Sequence, residues 1–478
     1  MADELFDSRL TEHRNPRTRE IDLASPVEIV DLINAEDRLV PEAVHSQRRE
    51  IAMAIEIAVE CFKAGGRLIY VGAGTSGRLG VLDATECPPT FGTDPELVHG
   101  IVAGGYIALV RSQEGAEDRA ADGAAALEDA NVSSSDFVFG IATSSTTPFV
   151  RGALQHAAAR GARTGFLCCT EPGDEIRSLV DVCIVPLVGP EVIAGSTRMK
   201  AGTATKLVLN TVSTGAMIRL GKVYGNLMVD LRATSEKLID RSQRIVMAAT
   251  GCGREEALAL INAAGGSVKI AIVMRQAGLG RELAELHLAE SSGFVRGALQ
   301  LAEAPSGAGD DPYVSYPAAP PNGASLELTL AAVRSLPRQV FKLLSGVPER
   351  VLRARPSDRT WSVKEQIAHL IDADEVMNGR IAAILAGTDP EVANRDDETE
   401  NRKIFDSGAR DLPTSVLLRK LGDGRTAISA RVEALSPEQF ARPGRHELYG
   451  SISVYQILRH LVWHDHHHVE AIRRLVSG

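Results

Sequence analysis

Long apolar runs are the first feature that this sequence lacks. No segment comes near the roughly 18 consecutive apolar residues that a membrane-spanning helix needs, so we expect no membrane span. Residues 1–16 are charged and polar and have no apolar core like that of a secretory signal. The six cysteines form no C-x-x-C pair and stand mostly among apolar residues. These features predict a cytoplasmic protein with reduced, buried thiols.

An excess of positive charge is missing as well. The chain of 478 residues carries a formal net charge of −10 at pH 7, which argues against a protein that holds nucleic acid through phosphate contacts. Hydrophobic residues make up 44% of the chain and charged residues 24%, as is typical of a globular protein. The length predicts two or three domains.

One segment separates two parts of different character. Residues 304–325 are rich in Pro, Gly, Ala and Ser and have no helical period, which predicts a linker. In residues 1–303, short apolar runs alternate with helical stretches. This alternation predicts an α/β fold, with a mostly parallel sheet between two layers of helices. Residues 326–478 have a helical pattern almost throughout.

A glycine-rich loop follows the strand that we predict at residues 67–71. The loop reads G-A-G-T-S-G, which is the spacing of a dinucleotide-binding loop. A dinucleotide site would also need an acidic residue after the next strand, and none stands there, so a nucleotide is the less favoured ligand. Two hydroxyls inside the loop, and the helix that follows it, favour a single phosphate group. The candidate ligands are Gly74, Thr75, Ser76 and Gly77.

A second loop, residues 143–147, consists entirely of Ser and Thr and follows another predicted strand. A helix cap needs one such hydroxyl, so five of them favour an oxyanion cradle. Neutral donors and helix dipoles, without a cluster of Lys or Arg, favour a small sugar phosphate. The candidate ligands in this loop are Ser144, Ser145 and Thr147.

A third polar segment, residues 195–203, opens another long helix. Ser196 fits a helix cap, and Lys200 is a candidate ligand for an anion. A solvated helix start without any ligand explains the segment equally well.

Two carboxylates stand close to these loops in the sequence. Glu86 belongs to an E-C-P-P segment, and we expect Pro88 and Pro89 to end the helix and hold Glu86 in a rigid turn. Glu117 lies in an E-G-A-E-D segment beyond the next predicted strand. From the residues alone, both side chains are best explained as solvated surface groups. Only a reaction that needs a paired acid and base would give them a catalytic role.

Two long segments resemble the signature sequences of N-acetylmuramic acid 6-phosphate etherases. They read RLIYVGAGTSGRLGVLDATECPPTFG and GSTRMKAGTATKLVLNTVSTGAMIRLGKVYGNLMVDLRATSEKL, and the likeness extends over residues 10–301. The resemblance implies a sugar isomerase (SIS) domain over residues 1–248, followed by a small helical subdomain over residues 249–303. It also implies a homodimer, and a reaction without a cofactor.

By this resemblance the chain cleaves the lactyl ether of N-acetylmuramic acid 6-phosphate with water, releasing N-acetylglucosamine 6-phosphate and D-lactate. Glu86 matches the family's catalytic acid and Glu117 its second catalytic glutamate, the base at C2. Two carboxylates suffice for this chemistry without a metal or redox cofactor. The family's S-G-R-T-P loop differs here, because Ser145 and Thr146 replace its Gly and Arg. A sugar-phosphate sensor without activity and an aldose–ketose isomerase remain as alternatives.

The last predicted helix carries histidines within its apolar stripe. The stripe recurs every three or four residues, as one helix face does, and consists of Ile457, Leu461, His464, His468, Ile472 and Leu475. Two imidazoles one turn apart form a bidentate metal unit, and His369 on a neighbouring helix is a candidate third ligand. A cluster of surface histidines is the alternative reading.

Residues 326–475 resemble the DinB-like four-helix bundles, with a W-S-x-x-E-x-x-x-H helix that starts at Trp361 and a later H-x-x-x-H helix. Members of that family often bind a divalent metal. The resemblance therefore implies a four-helix bundle over residues 326–478, with Zn²⁺ or Ni²⁺ held by His369, His464 and His468. For the whole chain we expect a small sugar phosphate as partner, and neither nucleic acid nor a membrane.

Overall fold

The computed structural model describes residues 9–231, 236–303, 316–357, 360–387, 390–392 and 397–477. By its contacts the chain divides into two compact units, Met1–Ser242 and Gln243–Gly478, and each has its own hydrophobic core. Most of the predicted linker, residues 304–315, lies outside the described residues. The end of the predicted linker already belongs to a helix, which begins at Gly323.

A parallel sheet of five strands forms the centre of the first unit. The strands are β1 (Leu68–Gly72), β2 (Val98–Val102), β3 (Phe137–Ile141), β4 (Arg163–Leu167) and β5 (Val182–Ile184). Their order across the sheet is β2-β1-β3-β4-β5, and all neighbours run parallel. The predicted α/β architecture is therefore confirmed.

Helices cover both faces of this sheet. They are α1 (Pro26–Asp37), α2 (Val40–Ser46), α3 (Arg48–Lys63), α4 (Gly74–Phe91), α5 (Ile107–Val110), α6 (Ala120–Asp129), α7 (Pro148–Ala159), α8 (Asp174–Leu179) and α9 (Lys200–Arg219). A short hairpin of β6 (Val223–Tyr224) and β7 (Leu227–Met228) follows α9, and α10 (Glu236–Thr250) crosses the boundary between the two units.

Side chains of β1 alternate between the two faces of the sheet, as the period of two in a strand requires. Leu68 and Tyr70 pack into one core with α3, α4 and α9, whereas Ile69 and Val71 pack into the other with α6 and α7. Because both faces are covered, the strand is apolar throughout and fully buried. This double burial is why short continuous apolar runs marked the strands in the sequence.

The prediction that Pro88 and Pro89 end the helix is wrong. α4 continues through both prolines to Phe91 and ends at Gly92, whose φ of 63° is the left-handed conformation of a helix C-cap. The prolines occupy the last turn and remove only the two amide donors that would reach the carbonyl oxygens of Ala84 and Thr85, and the buried ring of Phe91 holds that turn on the core. Glu86 is therefore a helical residue.

Helices also form most of the second unit. They are α11 (Arg254–Ala263), α12 (Val268–Ala277), α13 (Arg281–Glu290), α14 (Val295–Glu303), α15 (Gly323–Leu344), α16 (Glu349–Arg353), α17 (Val363–Ala386), α18 (Asp397–Asp406), α19 (Thr414–Val432), α20 (Pro437–Phe440) and α21 (Val454–Ser477). The long helices α15, α17, α19 and α21 pack against one another, which confirms the predicted bundle. A small sheet that was not predicted comprises β8 (Glu391–Val392), β9 (Pro443–His446) and β10 (Gly450–Ser453).

Helix α13 packs on the bundle and shares its core. Leu283 and Leu286 of α13 belong to the same apolar cluster as residues of α15, α17 and α21. At the end of α13, Glu290 accepts two hydrogen bonds from Arg459 of α21, at 2.6 and 2.9 Å, and both side chains are almost fully buried. The Tyr455 hydroxyl donates a further hydrogen bond to Glu290 at 3.1 Å. An ion pair as well as apolar contact therefore ties α13 to α21.

Within the described part of the chain, no single helix has both the length and the apolar character needed to cross a membrane. Helices α11 and α12 meet that criterion only as a pair, and they are bent by 108° relative to each other. Both contribute buried side chains to the second unit, among them Ala257 and Ile272.

Candidate active site and candidate metal centre

The two hydroxyl-rich loops lie next to each other in the fold. The first follows β1 and the second follows β3, and these strands are neighbours with Gly72 opposite Ile141. The order of the strands reverses here, because β2 lies beyond β1 on one side and β4 beyond β3 on the other. In open parallel sheets, ligands bind at the carboxyl ends of the strands at such a reversal. The fold thus brings both loops to the place where a ligand is expected.

Glycines allow the first loop to run close to the sheet. A Cβ on Gly77 would lie 2.7 Å from the carbonyl oxygen of Gly72 and 2.7 Å from the side chain of Val102, which is closer than real side chains approach. Helix α4 begins at Gly74, and its N-cap residue, Ala73, makes no side-chain hydrogen bond to the helix. The first turn therefore presents backbone amides and the positive end of the helix dipole to this edge of the sheet.

Hydroxyl groups of the second loop make hydrogen bonds to one another and to Thr170. The side-chain oxygens of Ser144 and Thr146 are 3.3 Å apart, and the Thr170 hydroxyl donates to that of Ser145 at 3.4 Å. Ser145 has a φ of 62°, a left-handed conformation that serine adopts at some energetic cost. Helix α7 starts after Thr147, whose side chain makes no capping hydrogen bond. The loop thus presents hydroxyls and helix amides beside the first loop.

Helix α9 begins beside the first loop, but a carboxylate already caps it. A Cβ on Gly202 would lie 3.8 Å from the methyl group of Thr75, which places the first turn of α9 against α4. Glu191 accepts hydrogen bonds from the backbone amides of Lys200 at 3.0 Å and Ala201 at 2.9 Å. A carboxylate of the protein therefore occupies the position that an anionic ligand would take at this helix.

The structure does not support Lys200 as an anion ligand. Its side chain is fully buried, and its ammonium group donates hydrogen bonds to Glu36 at 2.7 Å and to the carbonyl oxygen of Val188 at 2.8 Å. Hydrogen bonds from Arg17 and then Lys200 lower the pKa of the Glu36 carboxyl to about 2 despite its burial. Lys200 thus fastens α9 to α1. Ser196 is half-buried in the turn before α9, and its role as a ligand stays a prediction.

Glu117 lies beside the second loop. Its backbone carbonyl accepts a hydrogen bond at 3.0 Å from the amide of Phe149, in the first turn of α7. The carboxylate side chain is exposed. The backbone at Glu117 is therefore fixed at the start of α7, and its role as a catalytic base stays a prediction.

Glu86 is not brought to the loops within one chain. It lies on α4 eleven residues after Thr75, and a helix rises about 1.5 Å per residue, so about 16 Å separate the two positions along the axis. The exposed side chain lines a cavity of about 220 Å³ together with Asp83 and Lys206. The structure therefore assembles the two loops and Glu117, and leaves Glu86 apart.

One cationic side chain reaches the second loop from a distant part of the sequence. Arg9 donates a hydrogen bond from Nη1 to the Thr146 hydroxyl at 3.0 Å. Arg9 was not among the predicted site residues, because the two positions are 137 residues apart and no local motif marks the contact.

Three histidines of the bundle converge. Ligand atoms of His369 on α17 and of His464 and His468 on α21 all lie within 4.8 Å of one another. Nε2 of His369 and Nε2 of His464 are 2.9 Å apart, and Nδ1 of His468 is 2.6 Å from the side-chain oxygen of Gln366. When Nδ1 of His468 carries the proton and donates it to Gln366, Nε2 keeps its lone pair for a metal.

Burial keeps two of these imidazoles neutral. It lowers the pKa of His464 well below its ordinary value and that of His468 to about 3, and neighbouring histidines lower both further. The rings of Trp361 and His369 lie 4.7 Å apart, so the indole packs directly on the cluster. Neutral imidazole is the form that binds metals, and the chemistry of this donor set suits a divalent cation.

A buried ion-pair network lies next to the cluster. Arg425 of α19 donates hydrogen bonds to Asp465 of α21 at 2.7 and 2.6 Å and to Asp374 of α17 at 3.1 Å. Burial raises the pKa of Asp374 to about 7. Because Asp465 directly follows His464, this network fixes the part of α21 that carries the histidines.

Two family models match the two parts of the chain. The model of the glucokinase regulatory protein N-terminal SIS domain matches residues 50–158, which contain β1, β2, β3 and both hydroxyl-rich loops. The model of the DinB superfamily matches residues 287–472, from α13 to α21. Together, the parallel sheet, the loops and these matches define a sugar isomerase (SIS) domain followed by a DinB-like helical domain.

Curated relatives identify the family of the SIS part. The N-acetylmuramic acid 6-phosphate etherase of Salinibacter ruber is 56% identical over 301 residues, which are 63% of this chain and 96% of the relative. The etherase of Synechocystis is 50% identical over 305 residues, 63% of this chain and 100% of the relative. A solved phosphoheptose isomerase from Neisseria gonorrhoeae is 19% identical, with a TM-score of 0.30 over 40% of this chain and 97% of that one. The chain belongs to the family of N-acetylmuramic acid 6-phosphate etherases, which are carbon–oxygen lyases.

Proposed function

We propose that the SIS part cleaves the D-lactyl ether of N-acetylmuramic acid 6-phosphate with water, giving N-acetylglucosamine 6-phosphate and D-lactate. Membership of the etherase family supports this reaction. The observation that carries the proposal is the pair of hydroxyl-rich loops at the reversal of strand order, with Glu117 beside the second loop. Helix amides and neutral hydroxyls at that place suit a single phosphate group.

In the proposed reaction the phosphate binds at the two loops and the open-chain sugar extends towards Glu117. The C1 aldehyde acidifies the proton on C2, and Glu117 removes that proton as a general base. An acid protonates the ether oxygen on C3 as the carbon–oxygen bond breaks, so D-lactate leaves and a C2–C3 double bond remains. Water then adds its hydroxyl to C3, and a proton returns to C2.

We propose that Glu86 acts as this acid from a second copy of the chain. Five bonds of about 1.5 Å join phosphorus to C3, so C3 lies at most about 7.5 Å from phosphorus. Within one chain, Glu86 lies about 16 Å along α4 from Thr75, and the helix is continuous between them. We therefore propose a homodimer in which the partner subunit's Glu86 completes the site. The exposure of Glu86 is consistent with such a role.

An assay of D-lactate tests the reaction. Purified protein that is incubated with N-acetylmuramic acid 6-phosphate should release D-lactate and N-acetylglucosamine 6-phosphate in equal amounts. If calorimetry detects binding of the sugar phosphate but no lactate appears at high protein concentration, the sensor replaces the enzyme as the best interpretation. Formation of a ketose without lactate would instead identify an isomerase.

We also propose that the DinB-like bundle holds a divalent metal ion, Zn²⁺ or Ni²⁺, through His369, His464 and His468. Three imidazoles converge from two helices, burial keeps two of them neutral, and Gln366 orients His468. A metal ion in such a site acts as a Lewis acid and lowers the pKa of a bound water molecule. The ion pairs of Arg425 hold the helices that carry these ligands in place.

Replacement of His464 by Ala should remove this metal. We expect about one ion per chain in protein purified without a histidine tag, and less than about a tenth of that in His464→Ala, because two imidazoles hold the ion too weakly. His467→Ala is the matched control, since His467 lies on the same helix and is exposed. Elemental analysis measures the content. Equal metal content in the His464 variant and the wild type would refute the ligand assignment.

A further inference from the structure

Arg9 is carried to the second loop by the N-terminal arm, residues 9–18. The arm is fastened to the segment that precedes α9, where the Thr18 hydroxyl donates a hydrogen bond to the carbonyl oxygen of Val192 at 2.8 Å. From this anchored arm the guanidinium of Arg9 reaches the Thr146 hydroxyl. Arg9 is therefore carried by a segment that is hydrogen-bonded to the rest of the domain at Thr18.

The two loops themselves contain no cationic residue. Residues 72–77 and 143–147 include neither Lys nor Arg. Arg78, within α4, and Lys200, at the start of α9, donate hydrogen bonds to acceptors elsewhere in the fold. Arg9 is thus the cation that the described structure places in contact with the hydroxyl-rich loops.

We propose that Arg9 is a substrate-binding residue whose guanidinium pairs with an anionic group of the sugar phosphate, a role that rests on the proposed etherase function. The substrate carries two such groups, the phosphate and the lactyl carboxylate. Hydroxyls and amides donate to these groups without a charge of their own, whereas a guanidinium adds a full positive charge and a planar fork that can donate two parallel hydrogen bonds. The Thr146 hydroxyl accepts one N–H group and so positions the guanidinium at the site.

Steady-state kinetics of Arg9→Gln tests this role. The KM for N-acetylmuramic acid 6-phosphate should rise about tenfold or more while kcat changes by less than about threefold, because Arg9 binds the substrate and transfers no proton. Arg9→Lys should recover part of the affinity, since lysine keeps the charge but loses the planar fork. Arg19→Gln, an exposed position directly after the arm, is the matched control and should leave KM unchanged.

Inhibition by N-acetylglucosamine 6-phosphate shows which anionic group Arg9 contacts, because this product has the phosphate but no lactyl group. If the inhibition constant rises with KM in Arg9→Gln, the phosphate is the contact; if only KM rises, it is the lactyl carboxylate. If neither constant changes, the proposal is overturned. Should the wild type release no lactate at all, calorimetric affinities of both sugar phosphates for wild type and Arg9→Gln still test Arg9. A failure of the proposed function is thereby distinguished from a failure of this inference.

Discussion

Equal amounts of Glu86→Gln and Glu117→Gln subunits should together regain about a quarter of the wild-type turnover, although each variant alone loses a factor of about 10² to 10⁴. The reason is the distance along α4, from which we propose that each site takes Glu117 from one subunit and Glu86 from the other. In a mixed dimer, one of the two sites then has both native glutamates. Random pairing makes about half of the dimers mixed, and half of the sites in each mixed dimer are intact.

Release of D-lactate measures this recovery after co-expression of the two variants with different tags. The matched control combines Glu86→Gln with the double variant Glu86→Gln/Glu117→Gln, because no dimer in that mixture contains an intact site. Recovery in the first mixture, and none in the control, is the result expected for a shared site. A mixture as inactive as its components would mean that Glu86 does not act across a dimer.

Removal of the Arg459 side chain should destabilise the second unit by about 3 to 5 kcal/mol. In Arg459→Ala, the carboxylate of Glu290 stays in the core without a counter-charge. Tyr316, whose ring centre lies 4.6 Å from the guanidinium carbon, also loses its contact. Urea unfolding followed by tryptophan fluorescence reports this unit alone, because the two tryptophans of the chain, Trp361 and Trp463, both belong to it.

Arg473→Ala is the matched control for this measurement. Arg473 lies on the same helix, but its ion pair with Glu470 is largely exposed, so we expect a loss of about 0 to 1 kcal/mol. The double replacement Arg459→Met with Glu290→Met should recover most of the lost stability, because it leaves no charge buried. If Arg459→Ala proves no less stable than the control, the buried ion pair does not join α13 to α21.

The architecture and the loops were predictable because local chemistry specifies them. Strands that are buried on both faces must be apolar throughout, and five consecutive hydroxyls at residues 143–147 suit a loop rather than a core. Lys200 was misassigned because local chemistry does not specify its contacts. Its partner, Glu36, lies 164 residues away in the sequence, and no local pattern reveals such a contact.

The assembly of the candidate site was less predictable than its residues. We expected Pro88 and Pro89 to end the helix and hold Glu86 in a rigid turn. Packing of Phe91 on the core outweighs the preference of the prolines, so the helix continues to Phe91 and Glu86 is a helical residue. A tertiary contact thus decides the backbone conformation at Glu86.

The Glu191 carboxylate occupies the N-terminus of α9, beside the first loop. The N-terminus of α9 has the same positive dipole as those of α4 and α7, and it lies against the first loop. Without the Glu191 carboxylate, the amides at the start of α9 would be free and would offer a further binding position for a phosphate, beside the first loop. Because those amides are already bonded, we expect a phosphate to meet helix amides at α4 and α7 and not at α9.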